Sequence, residues 1–159
     1  MIGLIIGGVI VLILVIMYFA YNNKEVALRK EAEAQKGKIE SVFDTMWKTI
    51  KQEAGVTEEY RKTFEKIYPE LIAGRYARDN QSLIKMINES NPAFDTSLYQ
   101  KLMQTIEVQR TVFSTAQQRM LDIIRERETL LESMPSKWFI RNTEKIEYVV
   151  ISSDVTADI

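Results

Sequence analysis

No charged side chain occurs before Lys24. This one fact constrains the chain more than any other. At a rise of about 1.5 Å per residue, roughly 20 apolar residues cross the roughly 30 Å hydrocarbon layer of a bilayer. A backbone in lipid must satisfy its own hydrogen bonds, so such a segment is expected to be helical. Residues 1–21 therefore read as a transmembrane anchor, with the rest of the chain displayed on one side of the membrane.

The segment does not read as a cleaved secretory signal, which needs a basic start, a short apolar core and a small-x-small site. Its apolar run is too long, and Met17-Tyr18-Phe19-Ala20-Tyr21 lacks an Ala-x-Ala pattern. The nearest positive charges lie on its C-terminal flank, at Lys24, Arg29 and Lys30. The excess of Lys and Arg in cytoplasmic flanks then predicts an inner-membrane protein with its N-terminus outside and its C-terminal domain cytoplasmic. Tyr18, Phe19, Tyr21 and Lys24 are the expected interface residues, because aromatic rings favour the headgroup level. Gly3 and Gly7, followed by Gly8, have the small-xxx-small spacing that lets membrane helices approach closely.

Beyond the anchor remain about 138 residues, enough for one core. The 21 basic and 22 acidic residues nearly cancel. Without a basic excess there is little counterion release to drive nucleic-acid binding, and none is expected. Cysteine and histidine are both absent. That removes disulfides, thiolate metal sites, thiol nucleophiles and imidazole acid–base chemistry. No catalytic residue, metal site or cofactor is predicted. Of the six glycines, three stand in the anchor, and there are only three prolines. A soluble part so poor in breakers and rich in Glu, Lys, Gln, Met, Leu and Ala predicts long helices.

The predicted fold is all-α. The transmembrane helix is expected to continue into a long antiparallel bundle over 22–135, with helices at about 22–54, 57–76, 80–90 and 96–133. The first stripe runs through Leu28, Ala32, Ile39, Val42, Met46 and Ile50, with Gln35 as a polar exception and Phe43 and Trp47 widening it. Gly55 should end that helix in the left-handed conformation. Thr57 is a good cap for the second helix, and Pro69 should bend or end it. Asp79, Asn80 or Ser82 could cap the third, which should stop before Asn91-Pro92. The last is expected to start at Asp95, Thr96 or Ser97 and to carry Leu98, Leu102, Ile106, Phe113, Ala116, Met120, Ile124 and Leu131. Pro135 ends it. Residues 136–159 read as an extended tail. Within it, 144–151 are rich in β-branched and aromatic residues and suggest a strand-like arm, paired either with its own bundle or with a neighbouring chain.

The pattern resembles the LemA family of small bacterial membrane proteins. The resemblance is carried by Met1-Ile2-Gly3 leading into one apolar helix, by Tyr21-Asn22 at its end and by Val42-Phe43-Asp44. It continues through Leu102, Ile106-Glu107, Ala116, Arg119 and Asp122 to Met134-Pro135. The departures are Trp47-Lys48-Thr49, where the family has Pro-Asn-Leu, and the lost Tyr-Asn steps of the last helix. This resembles a diverged member, of the kind carried by a phage or mobile element. The resemblance implies a helical bundle and an outside N-terminus, and no enzymatic activity.

The expected function is a non-enzymatic, single-pass membrane-anchored scaffold that self-assembles. The alternative is a membrane-tethered partner-binding or signalling module of LemA type. Expected partners are membrane lipid and further copies of the chain, with a protein partner in the alternative. Gly3, Gly7 and Gly8 would pack membrane helices. Trp138, Phe139, Ile146, Tyr148 and Val150 are the candidate self-association or partner contacts. Carboxylates such as Glu107, Asp122, Glu126 and Glu128 could serve acid–base chemistry. Helical Glu near Arg more simply predicts solvated pairs, as where Glu128 and Glu132 follow Arg125 and Arg127.

Overall fold

Nothing between Ala20 and Lys24 can break a helix, and in the computed structural model helix α1 runs unbroken over Ile2–Ala54. The structure describes residues 1–73, 80–148 and 150. The remaining helices are α2 (Arg61–Ala73), α3 (Gln81–Ser90), α4 (Tyr99–Glu132) and the single turn α5 (Ser136–Phe139). Short 3-10 turns, Glu58–Tyr60 and Thr96–Leu98, lead into α2 and α4. The chain is all-α, with no strand among the described residues.

Two compact units divide the chain. Among the described residues, the first holds 1–36 and 118–148; the second holds 37–73, 80–117 and 150. Helices α1 and α4 each contribute a stretch to both. Long helices let each end of a helix pair build its own core.

The second unit has an apolar core with an aromatic centre. Phe64, from α2, is fully buried. Its ring lies 5.2 Å from Phe43, 5.4 Å from Trp47 and 5.8 Å from Tyr68. Phe43 meets Tyr68 edge-on at 4.9 Å, the arrangement that ring quadrupoles favour. Leu83, Met86 and Ile87 of α3 and Leu102, Ile106 and Phe113 of α4 are buried with them.

Local chemistry sets the boundaries in this unit. Gly55 has φ of 67°, and a Cβ there would meet Asn91 Nδ2 at 2.9 Å. Both the left-handed backbone and the close neighbour call for glycine. The Asn91 amide donates to the Ala54 carbonyl at the end of α1. Thr57 makes no side-chain cap bond; its N–H donates to Ser90 Oγ instead. Of the three candidate caps for the last helix, Asp95 acts, its Oδ1 accepting from Ser97 N–H at 2.9 Å. That bond holds the Asp95 carboxyl below the usual carboxylate range. Asn80 begins α3 without a cap bond, and its Oδ1 accepts from Arg110 Nη2 at 2.6 Å. Helix α2 carries on through Pro69 to Ala73. The predicted extension to Tyr76, the candidate cap Asp79 and residues 149 and 151–159 of the tail lie outside the described residues.

The tail also differs from expectation. It opens with α5 rather than an extended segment, and residues 140–148 have no regular secondary structure. A strand needs a partner edge for its backbone groups, and no strand stands beside the described part of 144–151 to supply one.

Candidate functional site

In the first unit, all of residues 1–16 are exposed, and they open the one helix among the described residues long and apolar enough to cross a membrane. Exposure changes at Met17 and Tyr18, which are half-buried. From there to Ala32, α1 is gripped by the end of α4, by α5 and by the residues after it. The candidate site is this collar.

Charge lies at its centre. Glu25 and Arg127 form an ion pair, Nε to Oε1 at 3.0 Å, with both side chains only 2% exposed. Arg127 Nη2 also donates to the Asn142 carbonyl at 3.3 Å. Arg29, one turn further along α1, donates to Glu25 Oε2 at 3.4 Å. Burying one such charge alone would be costly; the pair with its added bonds is tolerable. Around it lie Leu28, Ala32, Met120, Ile123, Leu130 and Ile140, all buried. Two outer pairs keep the same register, Lys24–Glu126 at 3.4 Å and Arg119–Glu31 at 2.7 Å. The Arg119 hydrogen bond holds the Glu31 carboxyl below its ordinary range. The order Glu31–Arg119, Glu25–Arg127, Lys24–Glu126 shows that α1 and α4 run antiparallel here.

Asn22 closes the collar from below. Its Nδ2 donates to the Phe139 carbonyl at 2.6 Å and to the Tyr18 carbonyl at 2.9 Å. Its Oδ1 accepts from Arg141 N–H at 3.1 Å. Tyr21 stacks on Phe139, centroids 6.0 Å apart and planes 18° apart. Ser136 Oγ, buried, donates to the Leu130 carbonyl at 2.7 Å and ties α5 to α4. A cleft of about 410 Å³ beside the collar is lined by Ile124, Arg127, Leu131, Thr143, Lys145 and Ile146, with Glu128 and Glu132 at its edge.

The predicted residues fall out as follows. Tyr18, Phe19, Tyr21 and Lys24 occupy the last turns before the collar, and Tyr18 and Phe19 meet edge-on at 5.4 Å. Gly3, Gly7 and Gly8 stand in open space, with nothing within 4 Å of a Cβ built on them. Phe139 is engaged within the chain by Tyr21, whereas its neighbour Trp138 is 69% exposed. Ile146 and Tyr148 are half-buried, and burial raises the Tyr148 hydroxyl above its ordinary pKa. Val150 is exposed and lies in the second unit. The candidate carboxylates are spread along α4, Glu107 paired with Arg110, Asp122 with Arg125 and Glu126 with Lys24, while Glu128 lines the cleft. No group of three or more acidic residues that could hold a metal ion occurs among the described residues.

Asn22, Glu25 and Arg127 were missed as a site. Arg127 was expected to be a solvated partner of helical Glu; it is buried against Glu25, because both positions continue apolar stripes. Glu25 stands three and seven residues before Leu28 and Ala32, and Arg127 stands between Ile123 and Leu130. A charge on a core stripe from each of two helices was the available signal. Comparison of the chain with family models, with curated proteins and with solved structures finds no match in any of the three.

Proposed function

We propose that this chain is a non-enzymatic, single-pass membrane-anchored protein that self-assembles as a scaffold at the membrane. The observation that carries the reading is the collar. The apolar segment enters it without a break, and Asn22, Glu25 and Arg127 fasten α4 and α5 to its end. A segment that only tethered a domain would need no such clamp. A clamp transmits the anchor's orientation to the folded part of the first unit. The open surface at Gly3, Gly7 and Gly8 supports packing between anchors of neighbouring copies. The flanking Lys24, Arg29 and Lys30 place the folded part in the cytoplasm on this reading.

The test is the mass of the full chain in mild detergent, by light scattering. A discrete oligomer that Gly7→Leu reduces to smaller species is the expected result. A monomer at every concentration overturns self-assembly. A second reading, a partner-binding or signalling module of LemA type, draws on Val108 and Val112, which lie one turn apart and exposed on α4. It predicts that Val108→Gln with Val112→Gln leaves the oligomer intact but reduces recovery of a membrane partner.

A further inference from the structure

The register of the collar sets the depth of its ends. Counting five residues from the Glu25–Arg127 pair, toward the anchor on α1 and toward the C-terminus on α4, brings Glu132 level with Ala20. The turn that follows, Ser133–Pro135, therefore stands beside the last turns of the apolar segment. The half-burial of Met17 and Tyr18, after sixteen exposed residues, agrees with this. Asn22 then holds Phe139 and Arg141 at its own level. So α5 and the turn before it share the height at which the apolar segment ends.

The outward side chains there are unusual for a water-facing surface. Trp138 is 69% exposed and Met134 is 59% exposed. Lys137 and Arg141 are exposed too, and both lie outside the ion pairs of the described residues. Trp at the boundary between hydrocarbon and water, with basic neighbours, matches the chemistry of a lipid headgroup region.

We infer that α5 and the α4–α5 turn form a second contact with the bilayer, with Trp138 and Met134 seated among the headgroups of the leaflet that α1 leaves. The inference rests on the anchoring proposed above. Its occupant is lipid, because the surface is continuous with the apolar segment and held there by Asn22. A helix crossing alone can tilt and rotate; interfacial anchors beside it fix both. Trp138 would then set the angle at which the first unit leaves the membrane. Glu132 and Glu144 are exposed nearby and offset Lys137 and Arg141. The contact should therefore depend on the indole more than on anionic lipid.

The test uses the full chain reconstituted in vesicles of phosphatidylcholine and phosphatidylglycerol. The emission of Trp138 is the difference between the unaltered chain and Trp138→Phe; Trp47→Phe isolates the same signal a second way. The expected result is blue-shifted Trp138 emission, with most of it lost to lipids brominated near the headgroup and less to lipids brominated near the chain ends. It should resist aqueous iodide. Trp138 emission that iodide quenches and brominated lipid does not, in vesicles that keep the chain through an alkaline carbonate wash, overturns the inference alone. Release of the chain by that wash overturns the anchoring and the inference with it.

Discussion

The two units solve the same packing problem with different materials. In the second, four rings, Phe43, Trp47, Phe64 and Tyr68, converge within one apolar core. In the first, the buried side chains include Glu25, Arg127 and Ser136, the buried polar residues among those described. An aromatic core gains from burying large apolar area and tolerates small shifts of register. A buried ion pair adds little net stability but fails badly when misaligned. The contrast teaches that the second unit is built for stability and the first for alignment. That suits a segment whose neighbour is a helix long and apolar enough to cross a membrane.

Truncating the aromatic centre should do the most damage. Phe64→Ala should cost about 4 kcal/mol, through lost transfer energy and a cavity, measured by denaturant unfolding of the detergent-solubilised chain. A loss under about 1 kcal/mol would mean that the core collapses around the gap, and would erase the contrast. Next in size is Arg127→Met, expected to cost about 3 kcal/mol by leaving Glu25 buried with only the longer Arg29 contact. Adding Glu25→Leu should restore most of that loss. If the double variant stays as unstable as the single one, the pair is a source of stability and the comparison fails.

Asn22→Ala is expected to cost about 1 kcal/mol, since it strands the Phe139 carbonyl and the Arg141 N–H at partly exposed positions. Its sharper sign is local. Amide exchange of Arg141 should quicken while amides in the second unit are unchanged. The smallest effect is a pH dependence that each unit carries. Arg119 lowers the Glu31 pKa in the first unit, and Ser97 lowers that of Asp95 in the second. A carboxyl lowered on folding contributes stability above the ordinary carboxylate range and loses it as pH falls through the lowered value. Glu31→Gln and Asp95→Asn should each lower Tm slightly at neutral pH. Both differences should vanish in acid, where the native carboxylates are protonated as well.

Much of the architecture was legible in the residues. Uncharged residues up to Asn23 mark the long apolar helix, and steps of three and four mark an all-α chain. Gly55 was legible because a helix end needs a left-handed residue. Pro69 was legible as compatible with a helix that carries on, since its fixed φ suits one while the lost N–H bond and the clash of its ring with the carbonyl one turn back favour a bend. The strand-like arm was less legible, because β-branched composition reports a preference, while a strand requires a partner edge. The collar was hidden for a related reason. Glu25 and Arg127 stand 102 residues apart, and each alone reads as an ordinary surface charge of a helix.

The sequence by itself determined where a helix too apolar for water lies, that the rest would be helical, and which chemistry is absent, since these follow from composition and period alone. Tertiary structure decided which charges are buried together, that the core divides in two, and that Trp138 stands level with the end of the apolar segment. Those depend on the register between α1 and α4. Register is set by side chains distant in sequence meeting across two helices, and no local pattern encodes it.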